Sequence, residues 1–280
     1  MPKPPDDKGR IEQAEKAYDA LQDLIKVLQA SAFASIMDWF TDNIATGKDG
    51  IKSTTGNYTR VGGIFAVLRK FGATLRDQVL GKVIEGVDKI VQENETYFGS
   101  PGGIQGEARF QALLRIGYNS KTDKILPGGF LDSLFKGADV SQKVARLMNQ
   151  AIANGMPLDK FRKLFRSEFI GRGMLERHFK TNTFDLFQRV DRAAHLVYAD
   201  QLKLNYARYT GTLIQTSRPF CIARVAKVFD RQQIADWANL QFDGKPAIYD
   251  PFLDCGGYQC RHHLSFISDG LAKQFLKNQG

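Results

Sequence analysis

The sequence predicts an α+β protein that is predominantly helical. An N-terminal helical region leads into a small C-terminal module with short antiparallel strands and a Cys/His-rich knot. Three observations point there. Apolar residues recur at helical spacing through most of the chain up to Leu204. From Tyr206 the period shortens to two, with aromatic and β-branched residues alternating. All three cysteines and two of the four histidines then fall between Gln215 and Ser268. We divide the chain into residues 1–140 and 141–280.

The elements follow in order. Residues 1–9 read as a proline-rich, charged leader. A helix runs from about Arg10 to Asn43, where Ile11, Ala14, Tyr18, Leu21, Ile25, Leu28 and Ala32 lay one apolar seam. Packing within the chain explains the seam better than an oligomer does, although a homo-oligomer would use the same face. Residues 45–59 read as a loop. A second helix, Val61 to Glu95, repeats Ile64, Leu68, Leu75, Val79, Val83, Val87 and Ile90, and its glycines allow close approach of a neighbour. Phe98 to Gly103 is a break. A short helix over 107–117 and an irregular stretch through Gly129 come next. Asp139 or Ser141 then caps a helix carrying Val144, Met148 and Ile152. A basic helix starts near Leu158 and a longer one near Asn182, in which His195 is a core or boundary histidine. Strands at 206–214 and 225–229 precede a helix opened by the capping box Asp230–Gln233.

Charge and leader bound the setting. The formal net charge is +9, and most of the excess lies between residues 101 and 180. It is densest around Lys160, Arg162, Lys163 and Arg166. Such a face suits a polyanion, double-stranded DNA held non-specifically through its phosphates, and equally suits plain solvation. No run of about 18 apolar residues occurs, so no membrane partner is expected. The start lacks the apolar core of a secretory signal, and an odd cysteine count argues for a reducing compartment where thiolates are free for metal.

The knot carries the chemistry. On an extended strand Cys260 and His262 point one way, Arg261 and His263 the other. Cys255 precedes the Gly256-Gly257 turn, which folds it back, and Pro219 fixes the backbone before Cys221. Cys221, Cys255, Cys260 and His262 therefore form a set suited to structural zinc. Three buried, reduced cysteines without metal are the plainer alternative. Arg218 and Arg261 are placed to brace the same turn, with Pro219 and Gly257 as its rigid points. A catalytic cysteine beside His262 or His263, or a metal-dependent nuclease on that histidine pair, lacks an evident acidic partner.

Four pieces of the chain also carry a family likeness. They are Asn205-Tyr206-Ala207-Arg208-Tyr209-Thr210-Gly211, Thr216-Ser217-Arg218-Pro219-Phe220-Cys221, Lys227-Val228-Phe229 and Gly256-Gly257-Tyr258-Gln259-Cys260-Arg261-His262. In order and approximate spacing they resemble the C-terminal signature of phage head morphogenesis proteins, the Mu F-like minor head proteins of tailed phages. The turn Asn154-Gly155-Met156-Pro157 and the helix from Thr181 to Asp200 extend the likeness over roughly residues 143–268. Members often end the motif His-Pro-x-Cys-Arg-Cys. Here His262 stands at the last cysteine, and Cys255 is the nearby substitute for the missing histidine. The resemblance implies a non-enzymatic minor capsid protein, made late in the bacterial cytoplasm and carried in the virion. Its implied partners are the portal protein, the major capsid or scaffolding protein, and packaged DNA. A nuclease or a DNA-binding protein of a mobile element remains the alternative.

Overall fold

A computed structural model describes residues 7–99 and 102–277. The first six residues of the expected leader, and Ser100-Pro101 of the expected break, lie outside the described residues. In chain order the elements are α1 (Lys8–Asn43), a hairpin of β1 (Thr46–Gly47) and β2 (Gly50–Ile51), α2 (Thr55–Val61) and α3 (Ile64–Phe98). Then come α4 (Gln105–Arg115), a hairpin of β3 (Tyr118–Asn119) and β4 (Lys124–Ile125), α5 (Phe130–Gly137), α6 (Ser141–Ala153) and α7 (Leu158–Arg166). A π-helical turn, Ser167–Gly171, separates α7 from α8 (Met174–Gln201). The C-terminal part holds β5 (Tyr206–Thr210), α9 (Pro219–Ile222), β6 (Val228–Asp230), α10 (Arg231–Ala235), α11 (Pro251–Asp254), β7 (His263–Ile267) and α12 (Asp269–Lys277). The chain is thus α+β and mostly helical, with its strands short and antiparallel.

Two compact units emerge, and neither is continuous in sequence. One comprises Met1–Tyr18, Ile84–Leu131 and Thr183–Gly280; the other comprises Asp19–Val83 and Asp132–Asn182. Each unit draws on both sides of residue 140, and α1 and α3 contribute to both.

In the second unit the seam of α1 is buried as its spacing requires: Leu21, Ile25, Leu28, Ala32, Ile36 and Phe40 are all inside. Aromatic rings fix its packing. Phe40 stacks on Phe161 and Phe33 on Phe165, with centroids 4.2 and 5.6 Å apart. Gln29 Oε1 accepts from the backbone N–H groups of Leu175 and Glu176, satisfying two of the free donors at the start of α8. That contact explains why α8 begins eight residues before the expected Asn182. The 45–59 segment is more ordered than its composition indicates. Buried Asn57 bonds to both backbone groups of Ala45 and to the Lys52 carbonyl, holding the hairpin against α2.

In the first unit, a Cβ on Gly86 of α3 would lie 2.7 Å from Phe187 and 3.0 Å from Ala17. The glycine is there for close packing, as its place in the helix suggested. The three-stranded sheet runs β6-β5-β7, with β5 pairing β7 from Tyr206↔Ile267 to Thr210↔His263. Period-two alternation sends Ala207 and Tyr209 inward, opposite Phe266 and Leu264. These four join Cys221, Cys255, Cys260, Phe220 and Trp237 in one core cluster. The expected capping box is present: Asp230 accepts from Gln233 N and Gln233 from Asp230 N.

Candidate metal centre

Three elements bring the ligand-type side chains together. Arg218-Pro219 starts α9 with proline at its first position, where a missing N–H costs nothing, and this presents Cys221. The turn after α11 is pinned by Gly257, whose φ of +86° and whose 2.1 Å Cβ clearance to the Gly244 carbonyl admit only glycine. It returns through the Cys260 N–H to Gly257 carbonyl bond, and Cys260 and His262 follow just ahead of β7.

The result is a buried group of Cys221, Cys260 and His262 whose ligand atoms all lie within 4.8 Å of one another. The two sulfurs are 3.9 Å apart, and Cys260 Sγ is 3.7 Å from His262 Nδ1. Tetrahedral zinc with Zn–S near 2.3 Å and Zn–N near 2.0 Å gives edges of about 3.8 and about 3.5 Å, so these residues can hold such an ion. Their expected fourth partner, Cys255, is fully buried in the same core cluster, but its sulfur is not in the group. Its backbone is in the left-handed region, at φ 49°, and its carbonyl accepts from Tyr249 Oη at 2.5 Å.

Electrostatics set the three thiols apart. Cys260 is held far below the ordinary thiol range, first by the hydrogen bond from Cys221 and then by His262 and the Arg192 charge. Cys221 is pushed up because it keeps the proton it shares with Cys260, and burial adds to this. Cys255 is pushed up to about 12, chiefly by burial.

The braces are partly those expected. Arg218 donates to the carbonyls of Gly256 (3.2 Å) and Tyr258 (2.8 Å), clamping the turn. Arg261 does something else: its guanidinium lies 5.3 Å from the Phe184 ring centroid, a cation–π contact. The brace that sequence reasoning missed is Arg192 of α8. Buried, it donates to the carbonyls of Leu253 (2.8 Å), Cys260 (2.6 Å) and His262 (2.8 Å). Its only signal in the sequence is an Asp-Arg pair inside the apolar run of α8.

His263 opens β7 and faces Asp191, whereas Cys260 and His262 lie in the irregular segment before the strand. His263 is fully buried, with Nδ1 2.9 Å from Asp191 Oδ2. His195 is also a core residue, bonded to Asn94 Oδ1 and accepting the Phe266 N–H at the sheet edge. On α7 the basic residues are exposed opposite buried Phe161 and Phe165. Lys160, Arg162, Lys163 and Arg166 share an arc of roughly 160°. Arg166 also covers the Phe33 ring at 5.1 Å.

No helix among the described residues is long and apolar enough to cross a membrane. Comparison with family models, curated proteins and solved structures gives no match for this chain.

Proposed function

We propose that this chain is a minor head protein of a tailed bacteriophage, associated with the portal and the capsid interior, acting in head morphogenesis and in DNA packaging or ejection. The observation that carries the reading is spatial. The four sequence pieces that resemble the Mu F-like signature fall within residues 205–262, and they meet at one sheet and one Cys/His group. A family signature is expected to map onto a single structural unit in this way.

In this reading zinc sits on Cys221, Cys260 and His262 and fastens the 255–262 turn to α9 and the sheet. Burial of His262 and His263 favours a structural role over activation of water. The exposed basic arc of α7 meets packaged duplex DNA through phosphates, without sequence preference. The portal and the major capsid or scaffolding protein are the partners in assembly.

Mass spectrometry of purified virions tests the assignment. The expected result is this chain in mature particles at far lower copy number than the major capsid protein. Its absence from particles made in cells that express it would overturn the assignment.

A further inference from the structure

We propose that Tyr209 Oη supplies the fourth corner of the metal centre, giving a site of two thiolates, one imidazole and one phenolate. The inference rests on reading Cys221, Cys260 and His262 as metal ligands, and it replaces Cys255 in that set.

Tyr209 is fully buried, and its hydroxyl lies 3.4 Å from Cys221 Sγ and 3.7 Å from Cys260 Sγ. Both hydrogen-bonding neighbours of this phenol are therefore sulfurs. For a metal bonded to sulfur at about 2.3 Å and to oxygen at about 2.0 Å, the tetrahedral sulfur–oxygen edge is about 3.5 Å. The two observed sulfur–oxygen distances stand close to that edge. The Tyr209 ring stacks on His262, with centroids 5.3 Å apart and planes 14° apart, so phenol and imidazole are held side by side.

Gly256 packs directly against these atoms. A Cβ there would lie 2.3 Å from Cys221 Sγ, 2.9 Å from Cys260 Sγ and 3.3 Å from Tyr209 Oη. Any side chain at this position would collide with both sulfurs, so only glycine lets the turn lie directly against the three ligand atoms. Its N–H also faces Cys260 Sγ at 3.2 Å, as a partner for a metal-bound thiolate.

Charge agrees with this ligand set. Two thiolates and a phenolate leave one negative charge on a divalent ion. Arg192 is a buried cation whose donors go to three backbone carbonyls rather than to a carboxylate, two of them on Cys260 and His262. It supplies the matching positive charge. Forming two thiolates and a phenolate releases to solvent whatever protons those three groups carry.

X-ray absorption at the zinc edge of the full-length, zinc-loaded protein is the test, with cobalt(II) spectra of Tyr209→Phe and Cys255→Ser beside the wild type. We expect a first shell of two sulfurs and two nitrogen or oxygen atoms. Tyr209→Phe should shift the visible cobalt bands and weaken metal binding at least about tenfold, while Cys255→Ser leaves both unchanged. A shell of three sulfurs, reduced to two in Cys255→Ser, overturns the tyrosine and restores Cys255. Unchanged bands and affinity in Tyr209→Phe mean that water fills the fourth corner, and also overturn the proposal. The absorption shell is read on wild type, so it decides between Tyr209 and Cys255 even if Tyr209→Phe fails to fold. A folded wild type that binds neither zinc nor cobalt overturns the metal centre itself, a result distinct from either of these.

Discussion

Arg10 donates to Asp191 across 2.5 Å with both side chains buried, although 181 residues separate them. Around this pair, Asn94 donates to Asp191, His263 shares the same carboxylate oxygen, and Arg10 reaches Asp7 and Ser265. A carboxylate so enclosed is tolerable only because each oxygen is occupied and a cation is in contact.

Asp191→Asn should therefore be costly. It leaves the Arg10 charge buried without its main counter-ion, and we expect a loss of about 3–5 kcal/mol. Urea denaturation of the full chain measures it. A change under about 1 kcal/mol would show that solvent reaches the pair and that the burial argument is wrong.

The same network predicts acid sensitivity. Burial alone would raise the Asp191 carboxyl, but Arg10 and the hydrogen bond from His263 override it and hold the group well below the usual carboxylate range. His195 is held well below the ordinary histidine value, first by burial and then by the Arg10 charge, against the opposing pull of Asp191. Both shifts have the same sign: on acidification the unfolded chain takes up protons that the native one refuses. Stability is complete above about pH 6.5, declines as His195 titrates in the unfolded state, and falls again below about pH 4 as Asp191 does. Thermal melts from pH 8 to pH 3 should show this fall, and Asp191→Asn should flatten its lower limb. A midpoint unchanged between about pH 7 and about pH 4.5 would contradict the His195 assignment, and one unchanged from about pH 4 to about pH 3 would contradict that of Asp191.

Arg192 gives a substitution test of the turn. Arg192→Ala strands three buried carbonyls, and at about 1–3 kcal/mol for each unsatisfied group we expect several kcal/mol of destabilisation. Arg192→Lys should not restore stability, because an ammonium lacks the planar fork that spans three acceptors. Denaturation curves of the two variants decide the matter, and recovery in the lysine variant would reduce Arg192 to a simple charge.

On α7, replacing Lys160, Arg162, Lys163 and Arg166 with glutamine should leave stability nearly unchanged, since all four are exposed. Affinity for duplex DNA should fall. The slope of log K against log salt should lessen by about 0.9 for each cation that touches a phosphate. Fluorescence anisotropy at several salt concentrations reads the slope, and an unaltered value would remove this helix from any DNA interface.

What the sequence made legible was whatever depends on neighbours in the chain. The spacing of Leu21, Ile25 and Leu28 forecast a buried seam, and Asp230 with Gln233 forecast a cap, because each pattern is complete within a few residues. The expected split of His262 from His263 is found, although residues 260–262 precede β7 rather than lying in a strand. Helix α5 was missed because Pro127-Gly128-Gly129 reads as a breaker, while the helix begins at the next residue. Tyr209 looked like any inward strand aromatic, Arg10 like an ordinary first-turn residue, and Arg192 like a surface charge. Each owes its role to partners far along the chain, and no local pattern reports them.

The contact between Arg10 and the C-terminal strand has a consequence for biogenesis. Its hydrogen bond to Ser265 Oγ spans 255 residues, so the network cannot close until β7 has been synthesised. At roughly 5–20 residues per second, α1 waits many seconds on the ribosome before its partner strand emerges. Closing so long a loop is slow compared with forming a helix. Assembly of the three-stranded sheet and of the Arg10 network therefore waits for β7, long after α1 has been made.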